Sequence, residues 1–130
     1  MATVTVSVEG SAAPAQVWER YADIGRWTSW APHIRAVEPS APRLAPGVRG
    51  VVRSVPPVSA RFVVDTVQEP ERRWTWTVRA YGATLHLEHR VEEVPAGTRA
   101  TVVVRAPAVL AYPYRPVMAY ALGRLVAANG

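Results

Sequence analysis

"AVLAYPYRPVMAYALGRLVAA", residues 108–128, is an apolar segment with helical spacing interrupted by two prolines. Leu110, Tyr114, Val117, Met118, Ala121 and Leu125 recur at intervals of three and four and so fall on one stripe of a helix. Pro113 and Pro116 lack the amide hydrogen that a helix interior uses, which confines the regular helix to about residues 114–128, roughly 20 Å at 1.5 Å per residue. A helix with one apolar stripe needs a surface to lie on. The rest of the chain has to supply it.

Upstream, six short runs are rich in Val, Thr, Trp and Arg: "IRAVEP" (34–39), "GVRGVVRSV" (47–55), "VSARFVVDTVQ" (58–68), "RRWTWTVRAYG" (72–82), "ATLHLEHRVEEV" (83–94) and "TRATVVVRA" (98–106). Between them stand the turn signals "APG", "PP", "EPE", "YG" and "PAG". Tight links between successive strands give an antiparallel meander. At the start, "TVTVSVE" (3–9) alternates with a period of two and puts Val4, Val6 and Val8 on a buried face, a seventh strand. Between it and the meander, "GSAAPAQVWERYADIGRWTSWAP" (10–32) changes to helical spacing. Ser11 is the expected cap and Pro14 suits a first turn. Val17, Trp18 and Tyr21 recur as a helical face, Gly25 is the expected break, and a second short helix carries Trp27 to Trp30 before Pro32. The predicted fold class is α+β: a seven-stranded curved antiparallel sheet wrapped around the C-terminal helix, with two short helices between strands 1 and 2. Where the helix stripe is thin in bulk, as at Ala121, a gap between helix and sheet can persist as a cavity for an apolar ligand.

Composition bounds the function. The chain of 130 residues and 14.2 kDa is read as a single domain, 1–130, large enough to fold without staples. It has no cysteine, which excludes disulfides, thiolate metal sites and a Cys nucleophile. No stretch reaches the ~18 apolar residues of a membrane span, and "MATVTVSVEG" has no basic segment followed by an apolar run, so a cytoplasmic location is expected. The net charge of +5 raises the question of nucleic acid. All fifteen basic residues are Arg, however, and apart from Arg72-Arg73 they are scattered singly along the strands, the pattern of a solvated face. No nucleic-acid partner is expected.

The run "VSVEGSAAPAQVWERYADIGRWTSWAPHIRAVE" resembles the opening of the START-like, birch-pollen-allergen-like superfamily, in its bacterial polyketide cyclase/dehydrase and lipid-transport branch (SRPBCC). In that branch a Val-rich strand leads to a helix with a Val-Trp pair, then to an Asp, a Trp-x-x-Trp and a proline. "LHLEHRVEEVPAGTRATVVVRA" resembles the same family's penultimate hairpin, and the two together span nearly the whole chain. The resemblance implies a helix-grip fold around an internal pocket. It implies a hydrophobic small-molecule ligand, polyketide-like, aromatic or acyl, and either a cofactor-free cyclase or dehydratase or a non-catalytic carrier or sensor. The short, proline-interrupted closing helix departs from the pattern. It leaves the lid looser and a place for a partner subunit, as in a homodimer.

Candidate residues follow from the faces. Trp27 and Trp30 stand ~60° apart on a helical turn, so both rings can turn inward. The pair reads as a hydrophobic plug, with Trp30 the ring that borders a ligand. In strand 83–94, Leu85, Leu87, His89 and Val91 share the apolar face, so His89 is expected inward, desolvated and neutral, able to act as a base. Its neighbour His86 faces the other way, which, with no further ligands, argues against a metal. Trp74, Trp76 and Val78 share the inner face of the next strand, and Phe62 and Val102 are taken as further lining. From the helix come Met118, Ala121 and Tyr114, whose phenol can orient a ligand oxygen. Arg115, beside the stripe, is expected at the mouth, and His33 is read as a solvated loop residue. No Gly-x-Ser-x-Gly elbow, phosphate loop or His-Glu-x-x-His is present, so no cofactor or metal is called for.

Overall fold

A computed structural model of the chain describes residues 1–54, 58–80 and 82–128. The turns expected at Pro56-Pro57 and at Tyr81 lie outside the described residues. The elements run β1 (Ala2–Gly10), α1 (Pro14–Ala22), a 3-10 turn (Ile24–Arg26), α2 (Trp27–Trp30), β2 (Ile34–Pro39), β3 (Arg49–Ser54), β4 (Val58–Gln68), β5 (Arg73–Ala80), β6 (Ala83–Val94), β7 (Gly97–Ala106) and α3 (Ala108–Leu125). The sheet order is β1-β7-β6-β5-β4-β3-β2, antiparallel throughout: a meander whose last strand returns to pair with the first. Bulges in β2, between Ile34 and Ala36, and in β4, between Val64 and Thr66, add local twist.

Register builds the inner face in rows. Val67, Trp74, His89, Val102 and Val6 stand opposite one another across five strands, and Val64, Trp76, Leu87, Val104 and Val4 form the next row. Apart from the half-buried Val67, all these side chains are buried. The bulge at Asp65 precedes the pairing of Val64 with Trp76, and both tryptophans of β5 keep the inward face.

Three sequence expectations need correction. The cap of α1 is Ala13, not Ser11: Pro14 holds its predecessor in an extended conformation, so the helix starts directly at the proline, and Gln16 Oε1 accepts from the Ala13 N–H at 3.2 Å. Gly25 does not end α1, which stops at Ala22; Gly25 lies within the 3-10 turn that follows. The third concerns α3, which starts at Ala108, with Pro107 as cap, and runs through both Pro113 and Pro116. Those prolines leave the carbonyls of Val109 and Tyr112 without helical donors, but Val109 and Tyr112 are exposed, and water can satisfy what the missing N–H groups cannot.

The end of α1 explains the paired tryptophans. Its last four carbonyls all find donors: Glu19 from the Asp23 N–H, Arg20 from Trp30 Nε1 at 3.1 Å, Tyr21 from Trp27 Nε1 at 2.9 Å and Ala22 from the Leu44 N–H. Two indoles thus cap one helix while their rings fill the interior. Arg20, from the same helix, departs from the reading of the arginines as a solvated set. It is buried, and its guanidinium donates to the carbonyls of Leu125 at 2.6 Å and Ala127 at 2.8 Å, placing a cation at the C-terminal end of α3. The Ala12 N–H donates to the Val126 carbonyl beside it. The C-terminal half of α3 is therefore bolted to the corner between β1 and α1, whereas its N-terminal half reaches out over the middle of the sheet. Among the described residues no helix is long and apolar enough to cross a membrane.

Candidate functional site

Between α3 and the sheet the interior holds two cavities. The inner one, about 50 Å³, lies among Tyr21, Trp27, Trp30, Trp74, His89, Val102, Met118 and Ala121. The outer one, about 430 Å³, lies under the N-terminal half of α3, between Val109, Leu110, Pro113 and Val117 above and Val52, Ala60, Val78 and Leu85 below. His33, Ile34, Trp76, Leu87 and Tyr114 line both and form the waist between them. A volume of this size is in the range of small-ligand sites, while the inner space holds one or two waters.

The inner cavity is an aromatic box. Trp74 stacks on His89 with centroids 4.1 Å apart and planes 8° from parallel. Trp27 lies against Trp74 and Trp76, and Tyr21 sets its edge against Trp30, Trp74 and His89. His89 Nδ1 and the Tyr21 hydroxyl are hydrogen-bonded at 3.3 Å. Burial pulls the His89 pKa down to about 3 and pushes Tyr21 well above the usual phenol range, so both are neutral at physiological pH. Nε2 of His89 and the indole nitrogens of Trp74 and Trp76 are buried without a hydrogen-bond partner in the protein.

The waist is built differently. His33, just past Pro32 at the start of β2, turns inward instead of into solvent, and its Nε2 is hydrogen-bonded to the Tyr114 hydroxyl at 3.1 Å. The imidazole stands edge-on to the phenol, at 81° and 5.7 Å between centroids. Desolvation lowers the His33 pKa and raises that of Tyr114 to about 12, which keeps the pair neutral. His33 Nδ1 is buried and has no partner in the protein.

Most residues singled out in the sequence meet here, but not in one chamber. Trp30, Trp74, Val102, Met118, Ala121 and His89 line the inner cavity alone, while Trp76, Leu87 and Tyr114 line both. Phe62 is packed against Trp27 and Trp76 and lines neither; it supports the tryptophans from behind. Arg115 also lines neither: one residue beyond Tyr114 is a 100° step around the helix, and its side chain is exposed. Tyr21 and His33 belong to the site and were absent from the sequence selection. Tyr21 could have been found as the polar member of the Val17, Trp18, Tyr21 helical face. For His33 the proline before it suggested a loop, and its partner, Tyr114, lies 81 residues away along the chain.

The profile of the polyketide cyclase / dehydrase and lipid transport family matches residues 1–129. Solved structures share the fold at low identity. Ara h 8.0201 has a TM-score of 0.75 and 13% identity, over 95% of this chain and 95% of that one. DynU16, from the dynemicin biosynthetic locus, gives 0.77 and 21% identity over 95% of this chain and 45% of its own length. A protein of Nitrosospira multiformis gives 0.80 and 16% identity over 96% and 94%. No curated protein matches the sequence. With seven strands gripping a terminal helix around an internal cavity, and a family profile spanning the chain almost end to end, this protein is a member of the polyketide cyclase/dehydrase and lipid transport family.

Proposed function

We propose that the protein binds a hydrophobic small molecule, polyketide-like, aromatic or acyl in character, in the outer cavity beneath α3. The observation that carries this reading is the 430 Å³ space itself, walled by aliphatic side chains from β3 to β6 and roofed by Val109, Leu110, Pro113 and Val117 of α3. An apolar guest would gain about 25 cal/mol for each Å² of apolar surface removed from water there. Trp76 at the waist offers a flat face to a planar ring. Membership of the family supports the same reading.

A second reading, a cofactor-free cyclase or dehydratase, is favoured by the hydrogen-bonded His33 and Tyr114 at the cavity wall. In it Tyr114 orients a ligand oxygen, and His89, neutral at the inner end, is the acceptor that a long ligand reaching through the waist would meet. Confinement would do most of the work, by holding a reactive chain in one fold and keeping water away. His89→Gln should then abolish turnover with binding retained; unchanged turnover removes His89 from that role.

Native mass spectrometry of the protein purified from its own host tests the binding reading. The expected result is a non-covalent adduct of a few hundred daltons that disappears on denaturation. An adduct-free protein that also takes up no naphthalene would refute it.

A further inference from the structure

None of the described residues lining either cavity is Asp, Glu or Arg, although the chain carries 25 charged side chains, 15 basic and 10 acidic. The outer cavity's polar groups are few, and two of them, His33 and Tyr114, are bonded to each other. A neutral imidazole carries one proton on either nitrogen, and a hydrogen bond to the other nitrogen ordinarily fixes which. Among the described residues Nδ1 has no partner, so none of them fixes the tautomer. With the proton on Nδ1, the Tyr114 hydroxyl donates to Nε2 and its oxygen is left to accept. With the proton on Nε2, that N–H donates to the Tyr114 oxygen, and the phenol hydrogen is free to donate.

We propose that the His33–Tyr114 pair is the polar anchor of the outer cavity and presents either an acceptor or a donor, so that the site takes uncharged phenols and ketones, the enol and keto forms of one skeleton, and rejects carboxylates. The proposal rests on the ligand-binding reading above. A phenol or enol O–H donates to the Tyr114 oxygen in the first tautomer, and a ketone oxygen accepts from the Tyr114 hydroxyl in the second. Neither arrangement separates charge. An ionised carboxylate would lose its water and meet no counter-charge, which is the costly case for a buried ion. The lowered pKa of His33 argues against an imidazolium forming to receive it.

The test uses four probes of one shape: naphthalene, 2-tetralone, 2-naphthol and 2-naphthoate, titrated at pH 7.5 with ligand-observed NMR. A net hydrogen bond of about 1 to 1.5 kcal/mol gives tetralone and naphthol a roughly tenfold advantage over naphthalene, with naphthoate weaker than all three. In Tyr114→Phe both advantages, each measured against naphthalene on the same variant, should vanish. Independently, the ring nitrogen shifts of His33 should move in opposite directions: tetralone drives Nε2 toward its protonated value, and naphthol drives it toward its unprotonated one. Naphthoate binding as tightly as naphthol, a tetralone or naphthol advantage that survives in the Phe variant, or His33 shifts that move the same way with both probes would overturn the proposal. Failure of all four probes, naphthalene included, would instead remove the binding reading beneath it.

Discussion

His89 makes the fold sensitive to acid, and the size of the effect can be worked out. Its imidazole is buried, stacked on Trp74 and bonded through Nδ1 to Tyr21. Desolvation takes its pKa from 6.5 in the open chain to about 3 in the fold. Because the folded value is depressed, the unfolded chain binds the proton first. Stability from this group is whole above pH 6.5 and is lost as pH falls toward 3, at 1.36 kcal/mol per unit. At pH 4.5 the loss relative to the high-pH limit is about 2.7 kcal/mol, a large share of the 5–15 kcal/mol of an ordinary domain. Urea denaturation of wild type and His89→Gln at half-unit steps from pH 7.5 to 4.5 isolates it. Contributions from His33 and the carboxylates are common to both proteins and cancel in the difference. The substitution should cost stability at pH 7.5, and the gap should close by about 1.4 kcal/mol per unit below pH 6.5. Parallel curves over that range would refute the reasoning.

Three further outcomes follow from the packing. Arg20→Met should lower stability by about 1.5–3 kcal/mol, since the buried Leu125 carbonyl and the part-buried Ala127 carbonyl at the end of α3 lose a charged donor, and amide exchange over residues 122–127 should quicken before global unfolding does. Gly97→Ala should cost about 2 kcal/mol or more in thermal melts: at φ 138° an L side chain is strained, and its Cβ would overlap the Gly10 carbonyl oxygen. Amides of residues 110–117 in α3 should exchange faster than those of 118–125, because two prolines interrupt the ladder and the outer cavity lies beneath; equal protection along the helix would contradict that account.

Much of the fold was legible because its signals are local. The alternation in "TVTVSVE" and in β5 and β6 specifies a face regardless of what packs on it, so Trp74, Trp76, Leu87 and His89 were placed correctly relative to their own strands. The meander followed from turn residues such as Gly47, Gly82 and Gly97, all of which adopt positive φ. What failed depends on context. A proline's cost in a helix is set by whether its orphaned carbonyl reaches water, and that is a property of where the helix lies: Val109 and Tyr112, which carry the two orphaned carbonyls, are exposed, so α3 tolerates both prolines. Arg20 was hidden for the same reason, since its value lies in carbonyls more than a hundred residues away.

The site divides along the same line. The sequence selection gathered around the inner cavity because its walls come from strong alternation and large aromatic residues. Those very residues leave little room: six tryptophan, tyrosine and histidine rings interlock there, and the space that survives is about 50 Å³. The larger space opens where side chains are small or aliphatic, at Ala60, Val78 and Leu85, beneath the N-terminal half of α3. A cavity is legible in a sequence only as missing bulk, which has no periodicity. The earlier start of α3 is therefore the correction that matters most for function: the added turns at 108–113 are the roof of the outer chamber, and a helix beginning at 114 would have left Val109, Leu110 and Pro113 outside it.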